Sequence, residues 1–78
     1  MKTKIRTLLL TLRPDLPEDE GLDLIEDGVL DSFDIIHLVQ ELDSQFGIAI
    51  KGTDITPENF RNVDTLAVLV GRYTGHAG

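Results

Sequence analysis

Ser32 stands in the run Gly28-Val29-Leu30-Asp31-Ser32-Phe33-Asp34-Ile35-Ile36, where carboxylates flank a hydroxyl just ahead of an apolar helical pattern. A serine so placed can act as a nucleophile, accept a phosphate, cap the helix or carry a prosthetic group, and its neighbours discriminate among these roles. Hydrolysis needs a histidine base backed by an acid. His37 falls on the far side of its helix from Ser32, His76 lies in the C-terminal tail, and no Gly-x-Ser-x-Gly motif occurs. Capping needs only a side-chain oxygen, and Asp31 supplies one as well as Ser32 does. The hydroxyl is then left free to face solvent, which favours an attachment point over a catalyst.

A second constellation is formed by carboxylates. Asp23, Asp27, Gly28, Asp31 and Asp34 match positions 1, 5, 6, 9 and 12 of a calcium-binding helix-loop-helix. Ile25 occupies the third position, an Asp replaces the terminal bidentate Glu, and residues 12–17 provide no helix leading into the loop. A degenerate calcium-binding protein is therefore the weaker alternative, beside an acidic helical adaptor in which Ser32 is only a cap. No metal ligand set is assigned.

The elements that must position these groups follow from the apolar spacing. Ile5, Leu8, Leu9 and Leu12 obey the i, i+3, i+4, i+7 rule and predict a first helix over residues 2–12, stopped by Pro14. Residues 13–30 form a connection with two prolines, two glycines and seven acids. A loop so long is unusual in a small domain, so Leu22, Leu24, Ile25 and Leu30 are expected to fold it back onto the helices. A second helix runs from Asp31 or Ser32 to about Phe46, with Gly47 ending it. Its core face is expected to carry Ile35, Ile36, Leu38, Val39, Leu42 and Phe46, with Phe33, His37, Gln40 and Ser44 opposite and Glu41 at the edge.

Beyond it, residues 51–54 read as a turn, and Thr56-Pro57 as the start of a short third helix. Asp64 is placed to cap a last helix bearing Leu66, Leu69, Val70 and Tyr73. The expected fold is all-α, a small bundle of three main helices plus one short helix, with a single domain over residues 1–73 and a disordered tail over 74–78.

Composition bounds what such a bundle can do. With 78 residues and an apolar share of 41%, the chain can build one core and hardly a deep substrate cavity as well. Cores of this size leave roughly 3–5 kcal/mol of net stability. There is no cysteine, so any thiol chemistry needs a sulfur from outside the polypeptide. The basic and leucine-rich N-terminus imitates a signal peptide but lacks its length and cleavage site, and nothing approaches a membrane span. A cytoplasmic protein and a monomer are expected.

The net charge is −7, and eleven of the fourteen acidic residues lie between Asp15 and Asp43, where no Lys or Arg occurs. Such a surface repels nucleic acid and steers basic protein surfaces toward it.

The run from Leu24 to Asp34, followed by Leu38, Leu42 and Phe46, resembles the acyl carrier proteins and the related aminoacyl and peptidyl carrier domains. The resemblance extends through Asp54-Ile55-Thr56-Pro57-Glu58-Asn59-Phe60 and Val63-Asp64-Thr65-Leu66. It implies a 4′-phosphopantetheine arm on Ser32, installed from coenzyme A by a phosphopantetheinyl transferase, whose thiol carries an acyl or aminoacyl group. It also implies partners: an adenylating ligase or acyltransferase that loads the cargo, and downstream condensing or transferring enzymes. The carrier is then a substrate of these enzymes and not itself an enzyme.

Recognition is expected on Phe33, His37, Gln40 and Ser44 together with Asp31, Asp34, Glu41 and Asp43. This face is less acidic than in fatty-acid carriers, and Leu30-Asp31-Ser32 resembles freestanding carriers of nonribosomal peptide, polyketide or D-alanyl pathways. A contact with a larger apolar share and weaker salt dependence is expected. If cargo enters the bundle, Ile35, Val39, Ile50, Phe60 and Leu66 are its expected lining.

Overall fold

A computed structural model describes residues 2–16 and 23–75 of the chain. Three α-helices form the bundle: α1 over Lys2–Leu12, α2 over Ser32–Phe46 and α3 over Val63–Thr74, with a 3-10 turn at Gly52–Asp54. The core is apolar, built from Ile5, Leu8, Leu9, Leu24, Leu30, Leu38, Leu42, Ile50, Phe60, Leu66, Ala67, Leu69 and Val70, and no polar or charged residue among those described is buried in it. Helix α1 packs against both α2 and α3.

Polar contacts fix the directions. Lys4 at the start of α1 reaches the Gln45 carbonyl and lies 5.2 Å from the centre of the Phe46 ring at the end of α2. Arg13, just past the end of α1, pairs with the start of α2, so the two helices run antiparallel. Lys2 pairs with Asp64 in the first turn of α3 at 2.8 Å, so α1 and α3 begin at the same end.

The connection into α2 folds back as its apolar residues require. Leu24 and Leu30 are buried and Ile25 is half-buried, while the expected role of Leu22 lies outside the described residues. Asp23 organises the turn: its Oδ1 accepts the amides of Ile25 and Glu26, and its own amide donates to Asp27 Oδ2 at 2.9 Å. The Leu24 amide donates to the Arg61 carbonyl at 2.7 Å, tying the loop to the segment before α3. Gly28 turns the chain with φ of 71°, a conformation that an L side chain rarely adopts.

Three expectations about the elements are corrected. Ile36, assigned to the core face, is 54% exposed. The buried stripe is centred on Leu38 and Leu42, and Ile36 lies two positions from Leu38, roughly 160° around the helix. The short helix expected after Thr56 is a single turn, with the Asn59 amide on Thr56 Oγ1 and the Phe60 amide on the Thr56 carbonyl. Phe60 then drops into the core, which leaves no room for a second turn before the next cap. The turn expected at residues 51–54 is present, as a 3-10 turn over Gly52–Asp54. Asn62, not Asp64, caps α3: its Oδ1 accepts the Thr65 amide at 2.9 Å while Thr65 Oγ1 accepts the Asn62 amide. Asp64 is thereby left in the first turn, where it pairs with Lys2.

At the other end, α3 runs through Thr74 with Gly75 as its left-handed cap, so the domain end expected at residue 73 falls inside the helix's last turn. The rest of the expected tail, residues 76–78, lies outside the described residues.

Candidate functional site

The first turn of α2 is held by a reciprocal cap. Asp31 is in extended conformation, its Oδ1 accepts the Asp34 amide at 2.9 Å, and Asp34 Oδ2 accepts the Asp31 amide at 3.2 Å. Both capping duties being met by aspartates, Ser32 becomes the first helical residue with nothing left to cap. It is exposed, and its hydroxyl makes no hydrogen bond to any described residue.

A cation that the sequence reading did not assign completes this turn. Arg13 places Nη2 at 2.7 Å and Nε at 2.9 Å from Asp34 Oδ2, and Nη2 at 3.9 Å from Asp31 Oδ2. The signal was present, since Arg13 is the last cation before a stretch in which none occurs up to Lys51. What the sequence could not reveal is that the antiparallel turn of α1 and α2 brings it back to residues 31 and 34.

Six of the eight expected partner-contact residues are exposed: Asp31, Phe33, His37, Gln40, Glu41 and Ser44. Phe33 is 78% exposed. Ile36, three residues on, adds a second apolar side chain to the same face.

The other two are turned to structural work. The Asp34 side chain is only 17% exposed, engaged by Arg13 and the Asp31 amide. Asp43 is half-buried, and its Oδ1 accepts the Ile50 amide at 3.0 Å, fixing the segment that leaves α2.

The carboxylates in calcium-loop register do not converge. Asp23 is committed to backbone amides and lies 3.4 Å from Arg61, and Asp34 to Arg13. Among the described residues no group of three or more His, Cys, Asp or Glu side chains is arranged to hold a metal ion. Of the residues named as possible cargo lining, Ile50, Phe60 and Leu66 are core residues, with Ile35 and Val39 packed against them. No helix among the described residues is long and apolar enough to cross a membrane.

The fold and site together define a small all-α domain, a three-helix bundle with an exposed serine hydroxyl at the start of its second helix. No protein-family model matches the chain. It is 30% identical over 76 residues to the D-alanyl carrier protein of Lactococcus lactis subsp. cremoris strain MG1363, spanning 95% of this chain and 96% of that protein. The D-alanyl carrier protein of L. lactis subsp. lactis strain IL1403 is 31% identical over 72 residues, covering 90% and 91% of the two chains.

Among solved structures, a chain in the crystal structure of Bradyrhizobium japonicum glycine:[carrier protein] ligase complexed with glycylated carrier protein superposes with a TM-score of 0.70 at 30% identity. That match covers 87% of this chain and 95% of that one. The chain belongs to the carrier protein family.

Proposed function

We propose that Ser32 is the attachment site of 4′-phosphopantetheine and that the protein carries an amino acid on that arm, as a substrate of its partner enzymes and not as a catalyst. The observation that carries this reading is the exposed Ser32 hydroxyl, free of any described hydrogen-bond partner because Asp31 and Asp34 cap the helix between them. The residues present fit the group. A phosphodiester at the first position of a helix meets the partial positive charge there, and Arg13 offsets the two flanking carboxylates. When bound, the arm supplies the thiol that a chain without cysteine lacks, so that cargo is held as a thioester.

The chain's own residues supply recognition. Phe33 and Ile36 offer an apolar contact beside Ser32, and Asp31, His37, Gln40, Glu41 and Ser44 surround it with polar groups. Tethering cargo at this face gives each partner a high effective concentration of it, while bond making belongs to the partner. The partners are a phosphopantetheinyl transferase, an adenylating ligase that loads the cargo and an enzyme that takes it onward. Cargo in the class of D-alanine or another small amino acid is supported by the names of the relatives and by the glycylated state of the structural neighbour.

The test is intact-mass measurement after incubation with coenzyme A and a broad-specificity phosphopantetheinyl transferase, with Ser32→Ala alongside. Gain of one phosphopantetheinyl unit, absent in the alanine variant, is expected. A folded wild type that gains nothing from an active transferase overturns the reading. Incubating the modified protein with ATP and ligases that activate D-alanine or glycine then reads the cargo as a second mass increment.

A further inference from the structure

We propose that Arg13 is the counter-cation of the phosphodiester on Ser32, a positioning residue that keeps the start of α2 stable once the arm is attached. The inference rests on the reading of Ser32 given above and concerns a residue at the end of a different helix. Asp31 and Asp34 put two carboxylates within the first turn of α2, and both approach the same guanidinium. A phosphodiester between them in sequence brings a third anion to that turn.

No Lys or Arg lies between Arg13 and Lys51, so the charge cannot be met from the loop or from α2 itself. Arg13 also lines a depression of about 230 Å³ with Asp15, Leu16, Asp27, Gly28 and Val29, which adds two more carboxylates to its surroundings. Arg13 is therefore the one cation described at a turn crowded with negative charge.

Its form suits the task. Nε and Nη2 both grip Asp34 Oδ2, which leaves the remaining guanidinium donors free of that carboxylate, and the side chain is 37% exposed, accessible to a group attached at the surface. Like-charge repulsion within a turn is strongest at low ionic strength, where the Debye length is long, and weakens in salt. Loss of Arg13 should consequently cost more when Ser32 is modified than when it is bare. A clamp that merely joined α1 to α2 would cost the same in both states.

Thermal melts of the unmodified and modified forms separate the two, at about 0.01 M and about 1 M ionic strength. The proteins compared are the wild type, Arg13→Gln, Arg13→Lys and the double variant Arg13→Gln/Asp34→Asn. Modification is expected to move the wild-type Tm by less than about 2 °C but to lower that of Arg13→Gln by about 4 °C or more at low salt, a difference that shrinks at high salt. Arg13→Lys keeps the charge and should respond to modification as the wild type does, even if its unmodified Tm is lower. Arg13→Gln/Asp34→Asn removes one anion with the cation while keeping an oxygen for the Asp31 amide, and should also return the wild-type response.

Equal responses to modification in wild type and Arg13→Gln at low salt overturn the proposal and leave Arg13 a helix clamp. Should Arg13→Gln fail to fold, Asp34→Asn alone decides: with Arg13 released toward the phosphate, modification should raise its Tm relative to the wild-type response, and an identical response overturns the proposal. A wild type that gains no mass overturns the carrier reading and this inference together, whereas mass gain with equal responses overturns the inference alone.

Discussion

The two ends of α2 use the same residue type for opposite purposes. At its start, Asp31 and Asp34 satisfy one another's amides, Arg13 pairs closely with Asp34 and lies 3.9 Å from Asp31, and the outcome is a hydroxyl with nothing to do. At its end, Asp43 holds the Ile50 amide, the Gly47 and Ile48 amides close on the Asp43 carbonyl, and nearby Tyr73 donates to Asp54 and accepts from the Lys51 amide. These polar groups are spent on holding the chain in place. The Ser32 hydroxyl is left without a hydrogen bond to a described residue because other polar groups take over the capping work.

The largest effect that tests this contrast is all-or-none. Ser32→Ala should abolish modification completely while changing stability by less than about 0.5 kcal/mol, since an exposed first-turn residue with no described hydrogen bond has little to lose. Intact mass and urea unfolding measure the two halves. A clear loss of stability would mean that Ser32 shares the capping work, and the contrast between the two ends would fail.

Next in size is the apolar face. Phe33→Ser and Ile36→Ser remove side chains that are 78% and 54% exposed, so stability should hold within about 0.5 kcal/mol. If this face meets the loading ligase, loss of a buried contact aromatic should raise the ligase's KM for the modified carrier by about tenfold or more, with kcat little changed. The readout is the dependence of loading rate on carrier concentration.

Asp31→Ala and Asn62→Ala then compare two reciprocal caps. Each should cost about 1 kcal/mol in urea unfolding. Only Asp31→Ala should also slow modification of Ser32, because only that cap frees the serine. Equal modification rates in the two would detach the cap from function.

The sequence was a good guide where a pattern is local. Helix α1 and helix α2 match their apolar periods, and Gly47 and Pro14 mark their ends, because spacing and turn chemistry act over a few residues. Ser32 stood out for the same reason. What escaped were relations set by packing. Arg13 meets Asp34 only because α1 and α2 run antiparallel, and Ile36 turns outward because the buried stripe of α2 is centred on Leu38 and Leu42. Asn62 outcompetes Asp64 as a cap because Thr65 stands three residues on to reciprocate, a pattern that was legible but lay behind a residue more often seen in that role.

The smallest effect is also the one that isolates the closed end. Tyr73 is raised above its ordinary value of 10.0, first by its hydrogen bond to the Asp54 carboxylate and then by partial burial and by the charges of Asp54 and Asp43, while the Lys51 amide pulls the other way. A group whose pKa is higher folded than unfolded holds its proton more tightly in the folded state, so its contribution is complete below pH 10 and is lost as pH rises through the raised value. Stability should therefore fall above pH 10 in the wild type, and Tyr73→Phe, already lacking the hydroxyl, should show a shallower fall over the same range. Urea midpoints at pH 8 to 11 measure this, the range spanning the ordinary tyrosine value. Nothing at Ser32 takes part in that equilibrium, so modification of the serine should leave the difference between wild type and Tyr73→Phe unchanged. A difference that moved with modification would mean that the two ends of α2 are coupled through the bundle, and that the division of labour between them is not the independent one their hydrogen bonds describe.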